Sequence, residues 1–265
     1  MVISLIGVGK MGSALAKGWL SAGIKGDQLF IYDKNPLAIK AFEGKTQIAG
    51  TVEEAIQRGE VVVFAVKPKD LSPLLEDVAG LLRDKITISI AAGVPLKTLR
   101  SKTDSIWVRA MPNLACEVGQ GLIAICGDEK GLEKAEEIFQ LTGKVLKVEE
   151  HMMDAITALS GSGPAFVFLI MDALSDGGVK IGLPKELSLQ IVSQLLLGSV
   201  ALLQTSSLHP MQLKDNVCSP GGTTIAGVQV LERNGLRGII MEAIETAFRR
   251  AEELRKISEE RGENK

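Results

Sequence analysis

The chain has 265 residues, 46% of them apolar and 23% charged, with a formal net charge of −2. That length can bury a substantial core in one or two domains, and the near-balance of charge gives no electrostatic footprint for nucleic acid. Three widely spaced cysteines, Cys116, Cys126 and Cys218, form neither a disulfide framework nor a metal-ligand spacing, and predict reduced thiols in a cytoplasmic protein that holds no metal.

Residues 2–6 read as a buried strand that runs into Gly7-Val8-Gly9-Lys10-Met11-Gly12 and then into a helical pattern over 13–22. Strand, glycine turn and helix form the context that a dinucleotide fingerprint requires. Gly7 permits the tight turn, Gly9 lets backbone approach a pyrophosphate, and Gly12 lets helix and strand pack closely, with phosphate over the helix N-terminus. A second strand, 28–32, ends in Asp33, about where an acidic residue meets the adenosine ribose. The apolar N-terminus lacks a basic leader and breaks at the glycines, so a targeting signal is not expected there.

After Lys34-Asn35-Pro36 the pattern predicts a helix over 36–42, a short strand over 45–49 and a helix capped by Thr51, with Glu54 placed as in a capping box. An apolar strand over 61–66 is stopped by Lys67-Pro68, and a helix over 71–82 leads to a strand over 85–91 that ends in Ala92-Gly93. A short helix over 96–99, a strand over 105–110 before Met111-Pro112-Asn113, a strand over 121–125, a helix over 129–141 and a strand over 144–148 follow. This alternation predicts a parallel sheet with helices on both faces, and ligands then bind outside the carboxyl ends of the strands. Lys67, Gly93 and Asn113 fall on that side, although a solvated lysine and plain turn chemistry account equally well for Lys67 and Asn113.

Beyond residue 150 the pattern is helical throughout, over 151–180, 185–204, 210–217, 223–233 and 235–258, with a solvated, fraying end over the last dozen residues. Gly161-Ser162-Gly163-Pro164 predicts a kink or local opening in the first of these helices. The apolar stretch 187–203 is interrupted by Gln190, Ser193 and Gln194 and is expected to fall short of a bilayer span, so it calls for cover by its own domain or a twin rather than by lipid. The expectation is a dinucleotide-binding domain over 1–150 and an all-helical substrate and dimerisation domain over 151–265, joined as a homodimer.

Neither His151 nor His209 belongs to a metal spacing or a nucleophile arrangement, which suits a reaction whose hard step belongs to a nicotinamide. The late turn Gly221-Gly222-Thr223-Thr224 opens an apolar helical run, making a helix N-terminus rich in free backbone donors and suited to a carboxylate. One threonine reads as an N-cap, which leaves a second hydroxyl for a ligand.

Taken in order, Gly7 to Gly12, Ala65-Val66-Lys67-Pro68, Met111-Pro112-Asn113, Ser160-Gly161-Ser162-Gly163-Pro164-Ala165-Phe166, residues 176–184 and the segment from His209-Pro210 through Gly227 resemble the Δ1-pyrroline-5-carboxylate reductases, over essentially the whole chain. The resemblance implies an α/β fold, a Rossmann-like doubly wound parallel sheet followed by an all-helical dimerisation domain, and reduction of 1-pyrroline-5-carboxylate to L-proline by NADPH or NADH. It implies that Gly7, Val8, Gly9, Lys10, Met11, Gly12, Ala65, Val66, Lys67, Pro68, Ala91, Ala92, Gly93 and Asn216 line the cofactor. Gly221, Gly222, Thr223 and Thr224 would receive substrate, with the Thr224 hydroxyl near the ring nitrogen, and Glu150 resembles a further substrate-side position at the domain junction.

In that family homodimers often assemble as five into a decamer. Asp33 suits the ribose hydroxyls of NAD whereas the adjacent Lys34 attracts the extra phosphate of NADP, so the preference between the two stays open. Two other readings are a β-hydroxyacid dehydrogenase, which would place a lysine in the interdomain helix where this chain has none between His151 and Gly178, and a non-catalytic NAD(P)-binding regulator.

Overall fold

The computed structural model describes residues 1–263, and the chain divides into two compact units, Met1–Pro164 together with the chain from Thr246 onward, and Ala165–Glu245. The first is built on strands β1 (Ile3–Ile6), β2 (Leu29–Tyr32), β3 (Gln47–Ile48), β4 (Val61–Phe64), β5 (Ile86–Ser89), β6 (Ile106–Met111), β7 (Gly121–Gly127) and β8 (Gly143–Lys147), in spatial order β3-β2-β1-β4-β5-β6-β7-β8. Between them run α1 (Lys10–Ser21), α2 (Pro36–Ile39), α3 (Val52–Arg58), α4 (Pro68–Val78), α5 (Leu96–Lys102) and α6 (Glu129–Phe139).

Strand alternation sends side chains to both faces of the sheet. Ile3, Leu5, Val61 and Val63 pack with Leu15 and Trp19 of α1 and Ile138 and Phe139 of α6. Ile6, Val62 and Phe64 face the other way, with Ile56, Leu71, Leu75, Leu99 and Trp107. Each such side chain contributes about 1.5–3 kcal/mol on full burial. Both indoles keep a polar partner, Trp19 Nε1 donating to the Ile138 carbonyl at 2.9 Å and Trp107 Nε1 to Thr103 Oγ1 at 2.9 Å.

The sheet departs from the all-parallel expectation at one pair, because β7 runs antiparallel to β6. Residues 112–120 between them hold only a 3-10 turn, Leu114–Val118, that closes on Gly119 at φ +70°, too little chain for the crossover a parallel return needs. The α6 crossover then makes β8 parallel to β7. Thr51 caps α3 as expected, and only the return bond of the capping box lands one residue early. Thr51 Oγ1 accepts from Glu54 N–H at 3.2 Å, but the Glu54 carboxylate reaches Gly50 N–H at 2.8 Å.

The segment 151–180 is not one helix. A 3-10 turn, Glu150–Met152, leads into α7 (Met153–Ile156), a π-helical turn Thr157–Gly161 and α8 (Gly163–Lys180). Pro164 therefore sits in the first turn of a helix, where no donor is needed, and the widening precedes it, with Ser162 N–H donating to the Thr157 carbonyl at 3.0 Å. The helical unit continues with α9 (Lys185–Thr205), α10 (Pro210–Val217) and α11 (Thr223–Arg233), and α12 (Leu236–Glu263) begins in it and ends in the sheet unit. The helix α12 runs to Glu263, and residues 264–265 of the end expected to fray lie outside those described.

With 21 residues, α9 spans about 30 Å, so length does not separate it from a bilayer-crossing helix. By length and composition Glu150–Lys180 and Lys185–Thr205 both pass that test. Their apolar surface is also largely uncovered within the chain, with Leu169 70% and Leu197 65% exposed. Polar pins join α8 to α9 instead, Lys185 Nζ bridging Asp172 at 2.9 Å and Asp176 at 2.6 Å, and buried Ser188 donating to the Ser175 carbonyl at 2.7 Å.

Burial pushes the Cys126 thiol up to about 11 and raises that of Cys116. At pH 8 roughly one Cys126 thiol in a thousand is then ionised. A thiol reagent at pH 8 should leave Cys116 and Cys126 unlabelled in the native protein and label both in denaturant; rapid native labelling of either contradicts this packing.

Candidate functional site: two glycine turns at helix starts

Parallel register brings the ends of β1, β2 and β4 to one edge, with Ile6 beside Tyr32 and Phe64. The order reverses between β1 and β4, which makes their carboxyl ends the crevice where open α/β sheets take ligands. Gly7 crosses this point at φ +98°, its N–H on the Tyr32 carbonyl at 2.8 Å. A Cβ on Gly7 would stand 2.9 Å from the carbonyl carbon and oxygen of Ala65, and one on Gly12 would collide with the Gly7 carbonyl oxygen. Turn, helix and neighbouring strand end thus touch backbone to backbone.

Gly9 is different, since a Cβ there would meet nothing within 4 Å. It is the N-cap of α1, whose start carries no side-chain cap and no acidic residue. The first helical N–H groups and the positive end of the helix dipole therefore remain for an anion, and the open cradle at Gly9 suits a pyrophosphate. Lys10 and Lys34 are exposed, Lys34 lying 3.5 Å from Asp70, and Lys67-Pro68 opens α4.

The Asp33 carboxylate binds the turn itself. Val8 N–H donates to Oδ2 at 2.7 Å and Asn35 N–H to Oδ1 at 2.8 Å, so one acidic side chain holds the glycine turn and the start of the α2 loop. Asn113 is likewise engaged, its Oδ1 accepting from Leu122 N–H at 3.3 Å and its Nδ2 donating to Ser160 Oγ at 3.2 Å. Both groups of that amide are taken by the chain itself, one by β7 and one by the π-helical turn.

Glu150 sits on a charge that pattern reading passed over. Arg109, in the middle of β6 and 2% exposed, donates from Nη1 to Glu150 Oε1 at 2.7 Å, and the same oxygen accepts Leu96 N–H at the start of α5, also at 2.7 Å. An arginine inside an otherwise apolar strand was the visible signal that a carboxylate partner must exist. Gly93 is left-handed, φ +72°, and packs against α12, where a Cβ would stand 3.0 Å from Arg255 N and from the Leu254 carbonyl carbon. Ala91 and Ala92 complete this β5 end, with Ala91 N–H on Ser89 Oγ at 3.3 Å.

In the helical unit Gly221 adopts φ +68° and Gly222 is the N-cap of α11. Neither threonine caps the helix, contrary to the simplest reading of one of them, and no acidic residue lies in its first turn. Among the described residues the hydroxyls of Thr223 and Thr224 and the exposed Asn216 amide make no hydrogen bond within the chain. His209 instead caps the start of α10, its Nδ1 accepting Met211 N–H at 3.2 Å while Gln212 Oε1 takes the His209 N–H at 2.9 Å.

Known proteins resemble the chain at both turns. Residues 150–254 match the family described as "Pyrroline-5-carboxylate reductase dimerisation" and residues 2–93 the one described as "NADP oxidoreductase coenzyme F420-dependent". Pyrroline-5-carboxylate reductase of Pisum sativum is 39% identical over 261 residues, 95% of either chain. That of Synechocystis is 45% identical over 209 residues, 77% of this chain and 78% of the other. The crystal structure of Plasmodium falciparum pyrroline carboxylate reductase with NADP bound superposes with a TM-score of 0.89 at 34% identity, covering 96% of this chain and 98% of that one.

Truncating Glu150 to alanine strands the Arg109 charge and frees a helix-start N–H. Denaturant unfolding of Glu150→Ala should show a loss of about 2 kcal/mol, below the ~3–5 kcal/mol of a fully buried pair because the Glu150 side chain is 36% exposed. A loss under about 0.5 kcal/mol would mean that Arg109 is neutralised otherwise.

Proposed function

The chain belongs to the pyrroline-5-carboxylate reductase family, and on that premise we propose that it reduces 1-pyrroline-5-carboxylate to L-proline with NAD(P)H. The observation that carries this reading is the reach of the likeness over 95% of the chain, with the glycine turn inside one matched segment and Gly221 to Thr224 inside the other.

Gly7 to Gly12 hold the pyrophosphate on the α1 N-terminus, and Asp33, Lys34, Ala65, Val66, Lys67, Pro68, Ala91, Ala92, Gly93 and Asn216 complete the cofactor contacts. The cofactor supplies, when bound, the hydride that reduces the C=N bond. The uncapped start of α11 holds the substrate carboxylate through N–H groups that have no partner within the helix, beside Gly221, Gly222 and Thr223. Glu150, already bound to Arg109, serves as a further substrate-side carboxylate. The Thr224 hydroxyl orients the ring nitrogen, which takes a proton as the carbon gains hydride. A neutral threonine is too weak an acid to drive that transfer alone, so the rate comes chiefly from juxtaposition. The reaction requires that the two turns, of one chain or of the two chains of a dimer, hold their ligands in contact.

The dimer is built through residues 150–254, which gives the apolar faces of α8 and α9 a protein partner. Five dimers form a decamer, and the protein is cytoplasmic. Light scattering on protein extracted without detergent should give ten chains per particle. Two chains contradict the decamer, and recovery only with membranes contradicts the compartment.

Steady-state assays with pyrroline-5-carboxylate should show imine-dependent oxidation of NADPH or NADH, and cofactor binding without turnover would favour a regulator. Thr224→Ala should lower turnover about tenfold, equivalent to about 1.4 kcal/mol. Turnover within twofold of the parent across pH removes the proposed role of the hydroxyl.

A further inference from the structure

The last helix returns to the sheet unit and seats on the end of β5. From Thr246 onward α12 groups with that unit, and Ala251, 6% exposed, is buried there. The backbone at Leu254 and Arg255 approaches Gly93 so closely that any Cβ on residue 93 would stand 3.0 Å from it. Arg255 fixes the helix at this height, Nε donating to Asp154 Oδ2 at 2.8 Å and Nη1 to Glu259 Oε1 at 3.0 Å. Asp154 lies on α7 and is only 7% exposed, so its charge needs this partner. The seat is narrow, because a cavity of about 620 Å³, lined by Leu71, Leu75, Val94, Leu99, Leu254 and Ile257, leaves the helix loosely filled alongside.

We propose that Arg255, held by Asp154, is a positioning residue for the cofactor loop. By seating α12 on Gly93 it fixes Ala91-Ala92-Gly93 in the shape that receives NAD(P)H. This rests on the reading above that Ala91 to Gly93 line the cofactor, and neither Arg255 nor Asp154 belongs to the residues assigned to cofactor or substrate.

The test titrates NADPH and NADH by fluorescence against the full-length parent and the Arg255→Gln, Asp154→Asn and Arg255→Lys variants, with steady-state kinetics and thermal unfolding in parallel. Arg255→Gln and Asp154→Asn should each weaken cofactor binding five- to tenfold and raise the KM for cofactor alike, with kcat at saturating cofactor and the KM for the imine within twofold. Arg255→Lys should recover at least half of the loss on a logarithmic scale. If Arg255→Gln does not fold, hydrogen exchange of the peptide over 90–96 in Arg255→Lys decides, expected to be faster than in the parent and slowed by NADPH. Folded Arg255→Gln or Asp154→Asn that binds cofactor within twofold of the parent, or, where Arg255→Gln does not fold, unchanged exchange over 90–96 in Arg255→Lys, overturns the proposal. A parent that binds NADPH tightly but does not turn over the imine contradicts the proposed reaction and leaves this readout intact, whereas a parent that binds neither cofactor overturns both.

Discussion

Three backbone segments meet where no side chain fits. The end of β1, the first turn of α1 and the end of β4 touch through Gly7, Gly12 and Ala65, and a methyl group at either glycine would drive them apart. The close fit of β1 beside β4, the placement of α1 and its start without a side-chain cap meet at that contact. Asp33 secures it from the neighbouring strand by taking the Val8 N–H, so the acidic residue after β2 holds the turn whatever it offers a ribose. Close backbone approach with one glycine left open, Gly9, is what makes the site a cradle rather than a packed corner.

The helical unit solves a different problem with the same device. Its α11 also begins uncapped after glycine, in a unit whose buried residues are few and whose pins are polar. A unit that buries so little of its own apolar surface is not stable by its own packing, and its match to a dimerisation family accounts for where that surface goes. The membrane-like composition of α8 and α9 thus falls inside the segment that matches a dimerisation family.

Much of this was legible because it is local. The rhythm of strand and helix, the glycine turn and the two-threonine helix start depend on residues within a few positions of one another, and they appear where periodicity and turn chemistry place them. What was not legible depends on distant partners. The reversal of β7 follows from a connection too short to cross over, the engagement of Asn113 from Leu122 and Ser160, and the neutralisation of Arg109 from Glu150. Gly93 illustrates the limit best, since a glycine at a strand end suggests approach by a ligand, and nothing local says that the chain's own last helix packs against it as well.

Function on these terms requires one ligand on the start of α1 and another on the start of α11. A crystal structure of the dimer with NADP and proline tests it most directly. The pyrophosphate should lie on the N–H groups that follow Gly9, and the proline carboxylate on those that follow Gly222, with the proline ring against a nicotinamide. A carboxylate bound elsewhere in every subunit, or an empty α11 start facing solvent far from any nicotinamide, would contradict the account.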